Sequence, residues 1–125
     1  MKRKVLLVIL FLTLTIFLSG CFLFNRLSAD VIVEDWKQNY DDNSVKVWFR
    51  IHNTGNMMIG CYTIRFTAYC KDGSTYENRY NDCFLPVNCN NSDICNIDID
   101  PNKKVISIKI TDWKLEHITI PSQIA

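Results

Sequence analysis

Hydrophobic and polar residues alternate with a period of two along most of the chain, as in strands with one dry and one wet face. Val45, Val47, Phe49 and Ile51 alternate with Lys46, Trp48, Arg50 and His52. Tyr62, Ile64, Phe66 and Ala68 alternate with Thr63, Arg65, Thr67 and Tyr69, and Ile106, Ile108 and Ile110 with Ser107, Lys109 and Thr111. Weaker strands are expected at Val31 to Asp35, Thr75 to Asn81, Ile94 to Asp100 and Leu115 to Ile120, the last from its β-branched content. Turn chemistry separates the runs. Asn53-Thr54-Gly55-Asn56 closes the first strong strand. Lys71-Asp72-Gly73-Ser74 is a hairpin turn in which Gly takes the left-handed conformation at little cost. Pro101 in Asp100-Pro101-Asn102 removes a ladder donor and ends another strand. No stretch after the N-terminal segment carries an amphipathic helix with caps. Six or seven short strands therefore predict an all-β, antiparallel immunoglobulin-like β-sandwich. Its expected core is Val47, Phe49, Ile51, Ile64, Phe66, Ile97, Ile99, Ile106 and Ile108, which share strand parity within each run.

The N-terminus breaks this pattern. Lys2-Arg3-Lys4 precedes an apolar run from Val5 to Leu18, interrupted only by Thr13 and Thr15, and then Ser19-Gly20-Cys21. A charged start, an apolar stretch and small residues make an export signal. Leu18-Ser19-Gly20-Cys21 resembles the lipobox of bacterial lipoproteins, which implies that Cys21 is acylated and the preceding residues are removed. The expected organisation is a signal peptide over 1–20, a lipidated Cys and tether over 21–29, and the sandwich over 30–125. Two alternatives stay open: an apolar run continuing through Phe22, Leu23 and Phe24 as an uncleaved helix, and plain secretion.

Charge alters the picture only by exclusion. The chain has 125 residues and a net charge of +1, but three of its 14 basic residues lie in the first four positions. From Cys21 onward 11 basic residues face 13 acidic ones, a net of −2. Such a domain has no polycationic footprint for nucleic acid.

The hairpin carries a family resemblance. Phe66-Thr67-Ala68-Tyr69-Cys70, running into Lys71-Asp72-Gly73, resembles the F-x-L-Y-D motif of FxLYD domains. Asn53-Thr54-Gly55 followed by Ile59 is similar to the Asn-x-Gly turn of those and other immunoglobulin-like bacterial lipoprotein domains, and Leu85-Pro86 occupies the place of their Leu and Pro. The resemblance spans roughly Val45 to Ile99, with Ala68 and Cys70 where the motif has Leu and Asp. It implies the fold and an exported, membrane-tethered setting, and no catalytic residues.

Besides Cys21 there are five cysteines: Cys61, Cys70, Cys83, Cys89 and Cys95. Export permits disulfides to supplement a small core. A turn centred on Asp72-Gly73 sets Cys61 opposite Cys83 and Phe84, which makes Cys61–Cys83 a candidate cross-strand bridge. Cys89 and Cys95 are placed to close a loop, and Cys70, in phase with Phe66 and Ala68, reads as a buried thiol. A zinc site fits poorly, because the successive spacings of eight, twelve, five and five residues lack short C-x₂₋₄-C knuckles. Neither His52 nor His117 sits in a context that would activate a cysteine nucleophile. Asp41-Asp42, Asp98 and Asp100 read as wet-face carboxylates, and Asn90-Asn91-Ser92 is a sequon that matters only where exported proteins are glycosylated.

Trp48 lies on the face with Lys46, Arg50 and His52, so another segment covers it, with Trp36 and Tyr40 the candidates, or a partner does. Met57 and Met58 either plug the end of the sandwich or offer adaptable contact. Trp48, Arg50, Met57 and Met58 form the candidate interaction surface. The expected protein is a non-catalytic, membrane-tethered extracytoplasmic lipoprotein that binds or supports an envelope protein, with no cofactor and no metal. The alternative is a thiol-based redox or metal-binding protein built on the Cys-rich hairpin and loop, although no C-x-x-C pair is present.

Overall fold

The computed structural model of the protein describes residues 25–117. Residues 1–24, which hold the expected signal segment and Cys21, and residues 118–125 lie outside the described residues. Six strands follow one another: β1 (Ala29–Asn39), β2 (Ser44–Asn53), β3 (Ile59–Cys70), β4 (Thr75–Leu85), β5 (Asn90–Asp98) and β6 (Val105–Glu116). They form two three-stranded sheets, β1-β2-β5 and β4-β3-β6, with every neighbouring pair antiparallel. The cleanest sequence alternations belong to β2 and β3, the central strands, where neighbours on both sides hold one face against the opposite sheet. This order matches the A-B-E sheet of an immunoglobulin sandwich facing its C′-C-F strands. Among the described residues no seventh strand occurs: Leu115, expected to open one, lies inside β6.

The core forms between the inner faces. Val45, Val47, Phe49 and Ile51 from β2 meet Ile59, Tyr62, Ile64, Phe66 and Ala68 from β3, with Ile97, Ile99 and Val105 beside them, all buried. Phe49 is the hub, its ring 4.9 Å from Phe66 and 4.7 Å from Tyr80, the latter edge-on. Ile106, placed in the core by its parity, is instead 56% exposed. Cys70 pairs with Val105 and Tyr69 with Ser107, so Ile106 is the extra residue of a β-bulge and Val105 takes the inward position. Ile108 is only partly buried, because β6 is an edge strand. A second bulge, at Glu34, puts Trp36 opposite Val47 and turns it inward. Trp36 therefore packs against the core and does not cover Trp48, which points out of the other face.

Side-chain hydrogen bonds close the β4–β5 side of the sandwich. Tyr80 donates its hydroxyl to Asp93, Tyr76 to Asp100 (2.9 Å), and Asn78 donates to the Asn96 carbonyl. On the β1–β6 side, Gln38 donates to the Lys103 carbonyl (2.7 Å) and accepts from the Val105 amide (2.9 Å). At one pole lie the turns 40–43 and 71–74 and the loop 99–104. The β2–β3 turn, the β4–β5 loop and the start of β1 form the other.

Candidate functional site

The two outer faces differ in chemistry. On the second sheet Arg65 stands between Glu77 (3.9 Å) and Asp112 (3.7 Å), Thr67 bonds Thr111 (2.9 Å), and the Lys109 ammonium lies 5.5 Å from the centre of the Tyr69 ring. Charge pairs dominate there, with Ile106 (56%) and Trp113 (50%) exposed on its edge strand β6. On the first sheet, strand register puts Asp35, Trp48 and Ile94 in one row and Ile32, Arg50 and Ser92 in the next. Ile32 and Ile94 are 43% and 38% exposed and Trp48 is half-buried. Arg50 reaches Glu34 at 3.7 Å, an exposed pair of little energetic value, and His52 Nδ1 shares a hydrogen bond with Asn90. Two shallow depressions flank Trp48. One of about 580 Å³ lies between Trp48, Tyr40, Lys37 and Lys46, and another of about 300 Å³ between Trp48, Glu34 and Ile94. Apolar side chains in depressions with a polar rim have the composition of a contact surface.

Trp48 and Arg50 thus share one face, whereas Met57 and Met58 sit at the pole beyond the end of β2. Met57 is half-buried and Met58 is 38% exposed. Ile59 and Leu85 are buried at this end of the sandwich, and Leu27 packs against the core from the start of the chain. Asn53 organises this pole, a role its turn context did not reveal. Its fully buried side chain donates to the carbonyls of Met57 (2.8 Å) and Leu85 (3.0 Å) and accepts from the Gly55 amide (3.0 Å).

Cys61 and Cys83 form a disulfide between directly opposed positions of β3 and β4. Cys70 is a buried free thiol. The Cys89–Cys95 bridge is corrected: both are free. Cys89 sits in the loop before β5, and Cys95 lies six residues on, about 20 Å along an extended strand, facing the core. Burial pushes the Cys95 thiol up to about 11, so it stays protonated at neutral pH. Exposed Cys89 lines the same depression, of about 220 Å³, as Cys83.

The titratable cluster on the β4–β5 side was not legible in the sequence, because it joins residues of two sheets. Burial, and donation to Asp93, hold the Tyr80 hydroxyl well above the ordinary phenol range, while that bond and the Ile94 amide hold the Asp93 carboxyl low. Asn91 bridges to Tyr62 (2.7 Å) and Asp82 (3.1 Å). A phenol locked protonated against a locked carboxylate clasps two sheets and is poorly suited to move a proton near neutral pH. Among the described residues, no three His, Cys, Asp or Glu side chains converge to hold a metal ion. No protein-family model matches the chain, and comparison with curated proteins finds no similar sequence.

Proposed function

We propose that the protein is a membrane-tethered extracytoplasmic lipoprotein, anchored through acylated Cys21, whose sandwich binds an envelope protein without catalysing a reaction. The export signal and lipobox support the setting, and the FxLYD-like motifs support the same kind of domain. The observation that carries the binding role is the grouping of apolar side chains on one face: Ile32, Trp48 and Ile94 line adjoining shallow depressions on the first sheet. An apolar patch of this kind is a contact surface for a protein partner.

Intact-mass analysis tests the anchor and should find a chain beginning at an acylated Cys21. Crosslinking in the native envelope tests the face. A partner captured by wild type and by Arg65→Ala, but lost in Trp48→Ser at unchanged melting temperature, is the expected result. Equal capture by all three refutes the Trp48 face. A second reading, thiol exchange, rests on Cys89 and Cys83 lining one depression. Attack of the Cys89 thiolate on Cys83 Sγ would form Cys83–Cys89 and release Cys61 as thiolate, with no net oxidation. Disulfide mapping that finds only Cys61–Cys83 across a range of redox buffers eliminates it.

A further inference from the structure

We infer that the pole formed by the β2–β3 turn and the β4–β5 loop is a membrane-contact surface that seats the sandwich directly on the phospholipid bilayer. The inference rests on the anchored reading above and adds to it an orientation and a second attachment.

The start of the chain is tied to this pole. Arg26 donates its amide to Asn56 Oδ1 (2.6 Å) and accepts from the Asn56 amide (3.2 Å). The Ser28 carbonyl accepts from the amides of Thr54 (3.0 Å) and Gly55 (3.2 Å), and Thr54 Oγ1 bonds Ser28 Oγ (2.7 Å). Gly55 makes the approach possible: a Cβ there would lie 2.2 Å from the Arg26 carbonyl oxygen. From Cys21 to Arg26 the chain advances five residues, which covalent geometry limits to roughly 18 Å. An anchor at Cys21, or a membrane helix ending near Phe24, leaves this pole no room to stand far from the bilayer.

The side chains at the pole suit that position. Phe84 is 68% exposed, Val87 39% and Met58 38%. Phe84 has φ 63°, a left-handed conformation costly for a bulky aromatic, and it falls in the register gap between the Cys61–Cys83 and Ile59–Leu85 pairs. This left-handed kink near the end of β4 holds an aromatic ring toward solvent. Asn53 fixes the two segments together, bonding Met57 on one and Leu85 on the other. Residues 25–28, 53–58 and 84–91 contain one charge, Arg26, and no carboxylate. Of the nearest carboxylates, Asp30 and Asp82 stand within strands, and Glu116, at the end of β6, is paired with Lys114 at 3.3 Å. The far pole contrasts sharply, its turns carrying Asp41, Asp42, Asp72 and Asp100 with Lys71, Lys103 and Lys104. Apolar tips with a cation and no anion are what a headgroup region accepts, burying such side chains about 5–10 Å deep. Docked this way, the strands rise from the membrane and the Trp48 face is presented sideways.

Full-length protein in phosphatidylethanolamine and phosphatidylglycerol vesicles tests this. The exposed Cys89 thiol takes an environment-sensitive fluorophore while Cys70 and Cys95 are buried. In a Cys89→Ser background, Ser74→Cys places the same label at the far pole. With nitroxide-bearing lipids, the label at Cys89 should be quenched several-fold more than the label at position 74. Combined Met58→Ser, Phe84→Ser and Val87→Ser, all at exposed positions, should lower it several-fold, to a level still above the far pole because the anchor stays. Vesicle flotation is read on the same samples. Protein that floats without preferential quenching at Cys89 overturns the membrane-contact pole while the anchor stands. Quenching undiminished in the triple variant overturns the role of the apolar tips. Protein that does not float overturns the anchored reading, and this inference with it.

Discussion

Replacing Asn53 is the sharpest test of how the pole is built, because one buried side chain binds three backbone groups of two segments. Asn53→Ala removes hydrogen bonds to Met57 O (2.8 Å), Leu85 O (3.0 Å) and Gly55 N (3.0 Å) at a site with no solvent exposure. The Gly55 amide keeps the Ser28 carbonyl at 3.2 Å, so the main loss falls on the two carbonyls. At about 1 kcal/mol net per hydrogen bond, with a further penalty for carbonyls left dry, the change should cost about 3–4 kcal/mol. That is a large share of the ~5–15 kcal/mol typical of a domain. Urea unfolding of the oxidised protein, followed by tryptophan fluorescence, should lose about 2 M in midpoint for an m-value near 1.5 kcal/mol/M. Asn53→Asp keeps the shape and the Gly55 bond but turns the double donor into an oxygen facing two carbonyls. Its ionised form is disfavoured in the fold, so the folded pKa lies above the unfolded one and the native state holds a proton the unfolded state has released. Stability of that variant should therefore be best preserved in acid and fall as pH rises through the folded pKa, whereas Asn53→Ala shows no such added slope relative to wild type. A cost below about 1 kcal/mol for Asn53→Ala, within the range of ordinary surface changes, refutes the reasoning.

Phe66→Ala, at a fully buried position packed against the tilted ring of Phe49, should cost about 3–5 kcal/mol, and a melting temperature within a few degrees of wild type contradicts the core assignment. Paired Cys61→Ala and Cys83→Ala open a loop of sequence separation 22 and should cost about 3 kcal/mol in denaturant unfolding, with far-ultraviolet dichroism unchanged. Native alkylation should modify Cys89 first and leave Cys70 and Cys95 until unfolding, and peptide mapping reads the order. Because burial raises Cys95 to about 11, the neutral thiol's stabilisation is complete below its ordinary value near 9 and lost as pH rises toward 11, a slope that Cys95→Ala should abolish in pH-dependent melting. Gly55→Ala should loosen the chain start from the β2–β3 turn, seen as faster amide exchange at Thr54, because the new methyl meets the Arg26 carbonyl rather than a yielding side chain.

Strand identity was legible wherever alternation was uninterrupted. In β2 and β3 every second residue from Val45 to Ile51 and from Tyr62 to Ala68 is buried, as period two requires. Legibility failed at bulges. An inserted residue breaks the alternation: Ile106 is itself the insertion and stands in solvent, whereas the insertion at Glu34 flips the parity that follows and turns Trp36 inward, and nothing local in either segment marks it. The cysteines divide in the same way. Cys61 and Cys83 are related by a hairpin whose turn is written in Asp72-Gly73, so their apposition follows from counting; Cys89 and Cys95 are close in sequence but held apart by an extended strand.

The sequence alone determined the quantities that depend on neighbours along the chain: the two-residue period, the turn at Gly73 with its φ of 89°, the hairpin register, and the apolar N-terminal run from which the membrane setting is proposed. Tertiary structure decided what depends on contact between segments distant in the chain. It brought Ile32, Trp48 and Ile94 together across three strands, set Arg26 on a turn about 30 residues further on, and placed Asn53 between two loops and Tyr80 against Asp93. The physical reason is that burial and hydrogen bonding between sheets are settled only when both faces are filled at once, and a period shared by several strands leaves open which partner each will meet.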